Sequence, residues 1–190
     1  YKMADKENFI GFYNLNHEIC DELINLHKNS NKKYQGLTYY LGDLMPKTEV
    51  KDSTDINFFK EQIIQEPLIV KYLDYLKAFV NEYMEKHIEA GQGLRLKINE
   101  LNIQHYKPTG GYKVFHFENG LKNTINRHLV FMTYLNNVKN GGTIFKYQNL
   151  ITPAIKGSTL IWPANWTHTH KSEVTDISEK YVITGWLERE

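Results

Sequence analysis

The residues whose types and spacing suit chemistry lie in the C-terminal half of the chain. His116-Phe-Glu118 sets an imidazole and a carboxylate two positions apart. On a strand such residues project from one face, about 6–7 Å apart, so the pair points together with Phe115 and Phe117 opposite. Trp166-Thr-His-Thr-His170 adds two more imidazoles. Either can complete a set of two histidines and one acid, and strand parity does not choose between His168 and His170. That set holds Fe(II) on one face and leaves three positions open, the arrangement of oxygen-activating iron sites. The H-x-E pair alone is a weak signal in a chain with eight histidines. His17, His27, His87, His105 and His128 read as surface or hydrogen-bonded side chains.

A cation follows. In Lys180-Tyr-Val-Ile-Thr-Gly-Trp186, Lys180, Val182, Thr184 and Trp186 share one strand face, while Tyr181, Ile183 and Leu187 share the other. Bulk on both faces predicts a strand covered on both sides. A lysine there is costly unless it meets a fixed anion, and a substrate carboxylate would supply one. The alternative is a lysine that reaches solvent from the strand end.

The elements that must position these groups change character along the chain. Asn16 is placed to cap a helix to about Lys28, with Ile19, Cys20, Leu23, Ile24 and His27 on one stripe. Residues 30–55, with Gly36, Gly42 and Pro46, read as polar and irregular. Pro67 suits the first turn of a long helix, whose apolar positions from Leu68 to Ile88 follow the 3.6-residue period and stop at Gly91 and Gly93. From Leu94 the period becomes two. Strand-like runs at 112–118, 128–135, 143–147, 158–162, 167–170 and 179–187 are separated by Pro108-Thr-Gly-Gly111, Asn119-Gly120, Asn140-Gly-Gly142 and Lys156-Gly157. Short strands after a helical block predict an antiparallel jelly roll packed on helices, an α+β fold.

At 190 residues the chain is long enough for one domain with a full core. A net charge of +1 gives no footprint for nucleic acid or an anionic membrane, so neither partner is expected. Cys20 is the only cysteine; no internal disulfide is possible, and a buried small hydrophobe is the expectation. No run approaches a membrane span and no signal-peptide pattern opens the chain, so a cytoplasmic location is expected.

At the level of motifs, Gln104-His-Tyr106-Lys-Pro-Thr-Gly110-Gly-Tyr112 followed by His116-Phe-Glu118 resembles a known signature. It is the Q-x-Y…G…Y…H-x-D pattern of the prolyl-4-hydroxylase-like branch of the Fe(II)/2-oxoglutarate-dependent oxygenases. Arg127, Tyr134-Leu-Asn136 and Gly141-Gly142-Thr143-Ile-Phe145 are similar to that branch's R…Y-L-N…G-G-x-T-x-F run. The ten-residue step from His170 to Lys180 and the six from Lys180 to Trp186 match as well. The similarity spans residues 94–188, and the Phe-His-x-Glu-Asn-Gly form resembles small members common in marine bacteriophage, which would act in the host cytoplasm.

The resemblance implies a double-stranded β-helix (jelly roll) with N-terminal supporting helices. Residues 1–190 would form a single oxygenase domain, 1–93 mostly helical and 94–190 the catalytic core. It implies His116, Glu118 and His170 as iron ligands, His170 being chosen by its distance to Lys180. Lys180 would meet the distal carboxylate of 2-oxoglutarate, with Tyr134 and Tyr106 near the co-substrate and Arg127 and Trp186 at the substrate mouth. The implied cofactors are Fe(II), 2-oxoglutarate and O2. The implied reaction is hydroxylation of a peptide, such as a peptidyl proline, or of a small molecule, with release of succinate and CO2. Glu118 departs from the branch's aspartate and carries the carboxylate about 1.5 Å further out; an acid at this position argues against a halogenase. Segment 34–55 is expected to supply a lid. Two rival readings are a cupin-like metalloprotein, whose H-x-H…E…H pattern is missing, and a non-catalytic jelly-roll binding module.

Overall fold

The computed structural model describes residues 7–40 and 43–190. Strand β1 (Gly11–Asn14) leads into helix α1 (His17–Asn29), where the Asn16 Oδ1 accepts the Glu18 N–H at 2.7 Å. Next come β2 (Tyr34–Gln35), β3 (Leu37–Tyr40), β4 (Asp43–Pro46), β5 (Lys51–Asp52) and β6 (Thr54–Phe59). A short α2 (Lys60–Ile63) precedes α3 (Pro67–Lys86), which Pro67 opens as expected. The C-terminal half holds β7 (Leu96–Lys97), β8 (Glu100–Tyr106), β9 (Gly111–Tyr112), β10 (Arg127–Tyr134) and β11 (Val138–Phe145). It closes with β12 (Leu150–Ala154), β13 (Ser158–Pro163), β14 (His170–Ser172) and β15 (Lys180–Arg189).

The main sheet runs β1-β13-β10-β15-β8-β6-β2, with β7 on the end of β15; a smaller sheet runs β12-β11-β14. All pairings are antiparallel. Alternation along each strand gives the main sheet two different faces. Leu101, Ile103, Phe131, Ile161 and Ile183 pack on Ile19, Leu23, Ile69, Tyr72 and Leu76 of α1 and α3. On the other face Val130, Tyr134, Leu160, Trp162 and Val182 pack with Val138, Phe145 and Ala154 of the smaller sheet. Each such side chain contributes about 1.5–3 kcal/mol on burial, so two cores hold three layers together. The jelly roll on supporting helices is therefore the observed architecture.

Several local expectations are corrected. Residues 30–55, read as irregular, carry β2 through β5, with Gly42 outside the described residues. The N-terminal part is not mostly helical, and residue 93 is no boundary: β1 pairs with β13 and β6 with β8. Strand β6 alternates Asp55 and Asn57, on the face that opens into the cleft, with Ile56 and Phe58, which pack on the helical core. The run 112–118 is strand only to Tyr112, and 167–170 is a single 3-10 turn, Trp166–His168, before β14 begins. Among the described residues no helix is long and apolar enough to cross a membrane.

Candidate metal centre

The loop after β9 returns to β14 through one antiparallel bridge: the His116 N–H donates to the His170 carbonyl at 3.0 Å, and the His170 N–H to the His116 carbonyl at 2.9 Å. The Glu118 N–H is anchored on the Ala164 carbonyl at 2.9 Å. These contacts bring His116 Nε2 to 3.4 Å and His170 Nε2 to 3.3 Å from Glu118 Oε1. The ligand atoms of the three residues all lie within 4.8 Å of one another.

Both imidazoles are oriented by the backbone. His116 Nδ1 lies 3.1 Å from the Val114 carbonyl and His170 Nδ1 2.8 Å from the His168 carbonyl. A carbonyl can only accept, so each Nδ1 carries a proton and each Nε2 is the nitrogen turned inward, the outer-contact pattern of metal-ligating histidines. Tyr112 stacks on His116 with centroids 3.5 Å apart, and its hydroxyl is 2.7 Å from Thr38 Oγ1. Phe145 and Trp162 pack on His170.

Glu118 is held at its other oxygen. Oε2 accepts from the Trp186 indole N–H at 3.1 Å and lies 3.5 Å from Arg127 Nη1, and the guanidinium stacks 3.4 Å over the Trp186 ring. Oε1 is thereby left to the imidazoles. Burial raises the Glu118 carboxyl, yet the two imidazoles outweigh it and hold it well below the usual carboxylate range. Burial, with His170 alongside, pulls the His116 imidazole down despite the Glu118 carboxylate. Two imidazole nitrogens and one carboxylate oxygen on one side of a pocket are a donor set that fits Fe(II).

His168 does not face this centre, because the 3-10 turn breaks the strand alternation. It is buried, with Nε2 2.8 Å from the Asn8 carbonyl, while its own carbonyl orients His170. Lys180 is also buried and does not line the cleft; its Nζ donates to the Gly141 carbonyl at 2.8 Å, 5.2 Å from the Tyr106 ring centroid. Burial lowers its pKa to about 8, against the pull of Glu173. Behind the metal centre the Tyr134 hydroxyl meets Thr143 Oγ1 at 2.7 Å and Thr152 Oγ1 at 3.0 Å. Tyr106 donates to Gln104 Oε1, and burial raises its phenol well above the ordinary value, so it remains a donor.

The cleft measures about 780 Å³ and exposes His116, Glu118, His170, Arg127, Trp186 and Tyr106 on its walls. It is also lined by Lys51, Asp55, Asn57, Asn102 and Thr184, which no motif marks. For Asn102 a signal existed, since it stands two residues before Gln104 and four before Tyr106 on one strand face.

Residues 101–188 match the 2OG-Fe(II) oxygenase superfamily. This match assigns residues 101–188 to that superfamily. The oxygenase is an Fe(II)- and 2-oxoglutarate-dependent dioxygenase that uses O2. Its fold is that of the prolyl hydroxylases. The viral collagen prolyl hydroxylase of Paramecium Bursaria Chlorella virus-1 superposes with a TM-score of 0.71 at 16% identity, covering 95% of this chain and 96% of that one. The Pseudomonas putida prolyl-4-hydroxylase gives 0.67 at 14% identity, with 95% and 92% covered. The Trichoplax adhaerens prolyl hydroxylase, in complex with a hypoxia inducible factor peptide fragment, gives 0.70 at 15%, with 95% and 84% covered. No curated protein matches the oxygenase in sequence.

Proposed function

We propose that His116, Glu118 and His170 hold the Fe(II) of this dioxygenase and that Lys180 receives the distal carboxylate of 2-oxoglutarate. The reading is carried by one observation: two imidazoles with Nδ1 tied to carbonyls turn Nε2 onto the one Glu118 oxygen that Trp186 and Arg127 leave free. When bound, Fe(II) activates O2 and couples decarboxylation of 2-oxoglutarate to oxidation of a substrate C–H bond. Glu118 offers Oε1 while Trp186 and Arg127 fix the carboxylate plane. Lys180, whose described partner is the neutral Gly141 carbonyl, supplies a point charge for an arriving carboxylate. Tyr106 and Tyr134 stand beside it as neutral phenols, the Tyr106 proton already given to Gln104 Oε1.

The hairpin β3–β4 stands over the cleft, with Leu37, Thr38, Tyr39 and Leu44 on its wall, and Tyr39 accepts a hydrogen bond from Asn123 on the facing loop. We assign it the role of a lid that closes over a peptide or small-molecule substrate; slower amide exchange of residues 37–40 and 43–46 on adding co-substrate and substrate is the expected result. Residues 1–190 act as one oxygenase domain in this reading, and the single buried Cys20 suits a reducing, cytoplasmic location.

The test is anaerobic addition of Fe(II) and 2-oxoglutarate. A visible charge-transfer band that His116→Ala abolishes, with folding intact, is expected; no band in the natural chain overturns the assignment.

A further inference from the structure

Beside the metal centre the floor of the cleft is polar, and two of its acceptors are unmet. Asp55 and Asn57 of β6 stand opposite Gln104 and Asn102 of β8, and Thr184 of β15 stands opposite Asn102 on its other side. All five line the cleft. Tyr106, Gln104 and Asn102 form a chain in which Gln104 Nε2 donates to Asn102 Oδ1 at 2.7 Å. Lys51 Nζ binds only one oxygen of the buried Asp55, Oδ2, at 2.6 Å. Asp55 Oδ1 and Asn57 Oδ1 are buried and have no donor among the described residues.

The site is built rather than incidental. Asp55 is 1% exposed, and a Cβ at Gly36 would fall 2.1 Å from Ser53 Oγ and 3.1 Å from Asp55 Oδ2, so close backbone packing seals this carboxylate in place. Leaving a buried acceptor unpaired is costly, and an arriving donor would recover that cost. The charge points the same way. Lys51 offsets Asp55, and the Glu100 carboxylate, two residues before Asn102 on the same strand face, leaves this limb of the cleft negative. Tyr34, Leu44 and Phe59 give it apolar walls suited to an alkyl stem. A peptidyl proline brings no N–H to such a floor.

We propose that Asp55, Asn57, Asn102 and Glu100 form a substrate-reading subsite that takes a cationic nitrogen group, the ammonium or guanidinium of a lysyl or arginyl compound. The subsite rests on the Fe(II)/2-oxoglutarate reading of the neighbouring centre. It determines which substrate presents a C–H bond to the metal, while the iron ligands determine the chemistry.

The experiment titrates the anaerobic Fe(II)·2-oxoglutarate protein with L-lysine, L-arginine, peptides containing either residue, and a proline-only peptide. Perturbation of the visible band and coupled succinate release are the readouts. Basic compounds shift the band and raise succinate release, and the proline peptide does neither. A response to the free amino acids assigns a small-molecule substrate; a response confined to the peptides assigns a protein one. Asn57→Asp tightens the basic ligand about tenfold and Asn57→Leu weakens it about tenfold, with 2-oxoglutarate affinity unchanged. Opposite signs at one position are not produced by a merely structural role. A normal band that only the proline peptide perturbs, or that no basic compound perturbs, overturns the subsite alone, as do Asn57 variants that shift in one direction. Absence of the band in the natural chain overturns the metal assignment and the subsite with it.

Discussion

At the metal end of the cleft His116 and Glu118 stand on a loop and His170 opens a three-residue strand, whereas Lys180, Tyr134 and Tyr106 stand at the ends of long strands of the main sheet. The first group is aligned by one backbone bridge, two Nδ1–carbonyl contacts and the Trp186–Arg127 clamp. The second is aligned by sheet register and burial, Lys180 facing Tyr106 across β15 and β8. Loop ligands held by a few polar contacts can be loosened without touching the core. A charge buried in a sheet is already positioned, and its sensitivity is electrostatic.

Removing the sheet-borne charge should have the largest effect. Lys180→Ala is expected to weaken 2-oxoglutarate by about 2–5 kcal/mol, the usual result of truncating one side of a buried charge pair. Fe(II) affinity measured without co-substrate stays near its natural value; equal losses of both ligands would erase the distinction between the two ends. Next, Trp186→Phe keeps the ring but removes the N–H that holds Glu118 Oε2. Fe(II) affinity should fall about 10- to 100-fold, read by metal titration, with the unfolding midpoint little changed.

The pH dependence sharpens the same contrast. Lys180 titrates at about 8 in the free protein, against an ordinary 10.5, because burial disfavours its charge. In the proposed site a bound carboxylate favours the ammonium, so 2-oxoglutarate affinity is expected to stay flat below pH 8 and to fall about tenfold per unit above it. Stability moves oppositely. Between about 8 and 10.5 the unfolded chain holds the proton that the folded chain has released, so this lysine adds stability as pH rises. Calorimetric titration and thermal melts at pH 7, 8 and 9 measure the two trends, and Lys180→Met should flatten both. The smallest change is remote from either end. Asn16→Ala removes the α1 cap, costs about 1 kcal/mol of stability, and leaves both binding constants unaltered.

Much of this was legible in the residues. The α1 and α3 stripes, the Asn16 cap, the Pro67 start and the alternating runs from β8 onward follow from short-range periodicity, which a local pattern records faithfully. The spacing from His170 to Lys180 and Trp186 marked the chemistry-bearing strand, since β15 carries the last two on one face. Strand β6 shows the same alternation, Asp55 and Asn57 against Ile56 and Phe58, but it is short and sits in a polar stretch, and its pairing with β8 is long-range. The expected strand at 112–118 failed because its alternation reflects a loop stapled by a single bridge.

Residue types and spacing along the chain were enough to define a jelly roll on helices, a two-histidine, one-acid set and a lysine ten residues beyond it. Strand parity could not say which of His168 and His170 faces Glu118; only the family spacing to Lys180 favoured His170. That choice belongs to the 3-10 turn at Trp166–His168, which sends His168 to the Asn8 carbonyl and leaves its own carbonyl to orient His170. Nor could residue types and spacing reveal the clamp on Glu118 or the unmet acceptors of Asp55 and Asn57. Those contacts join segments as much as 68 residues apart, Glu118 to Trp186, and long-range contacts of that kind leave no periodic trace in a local window.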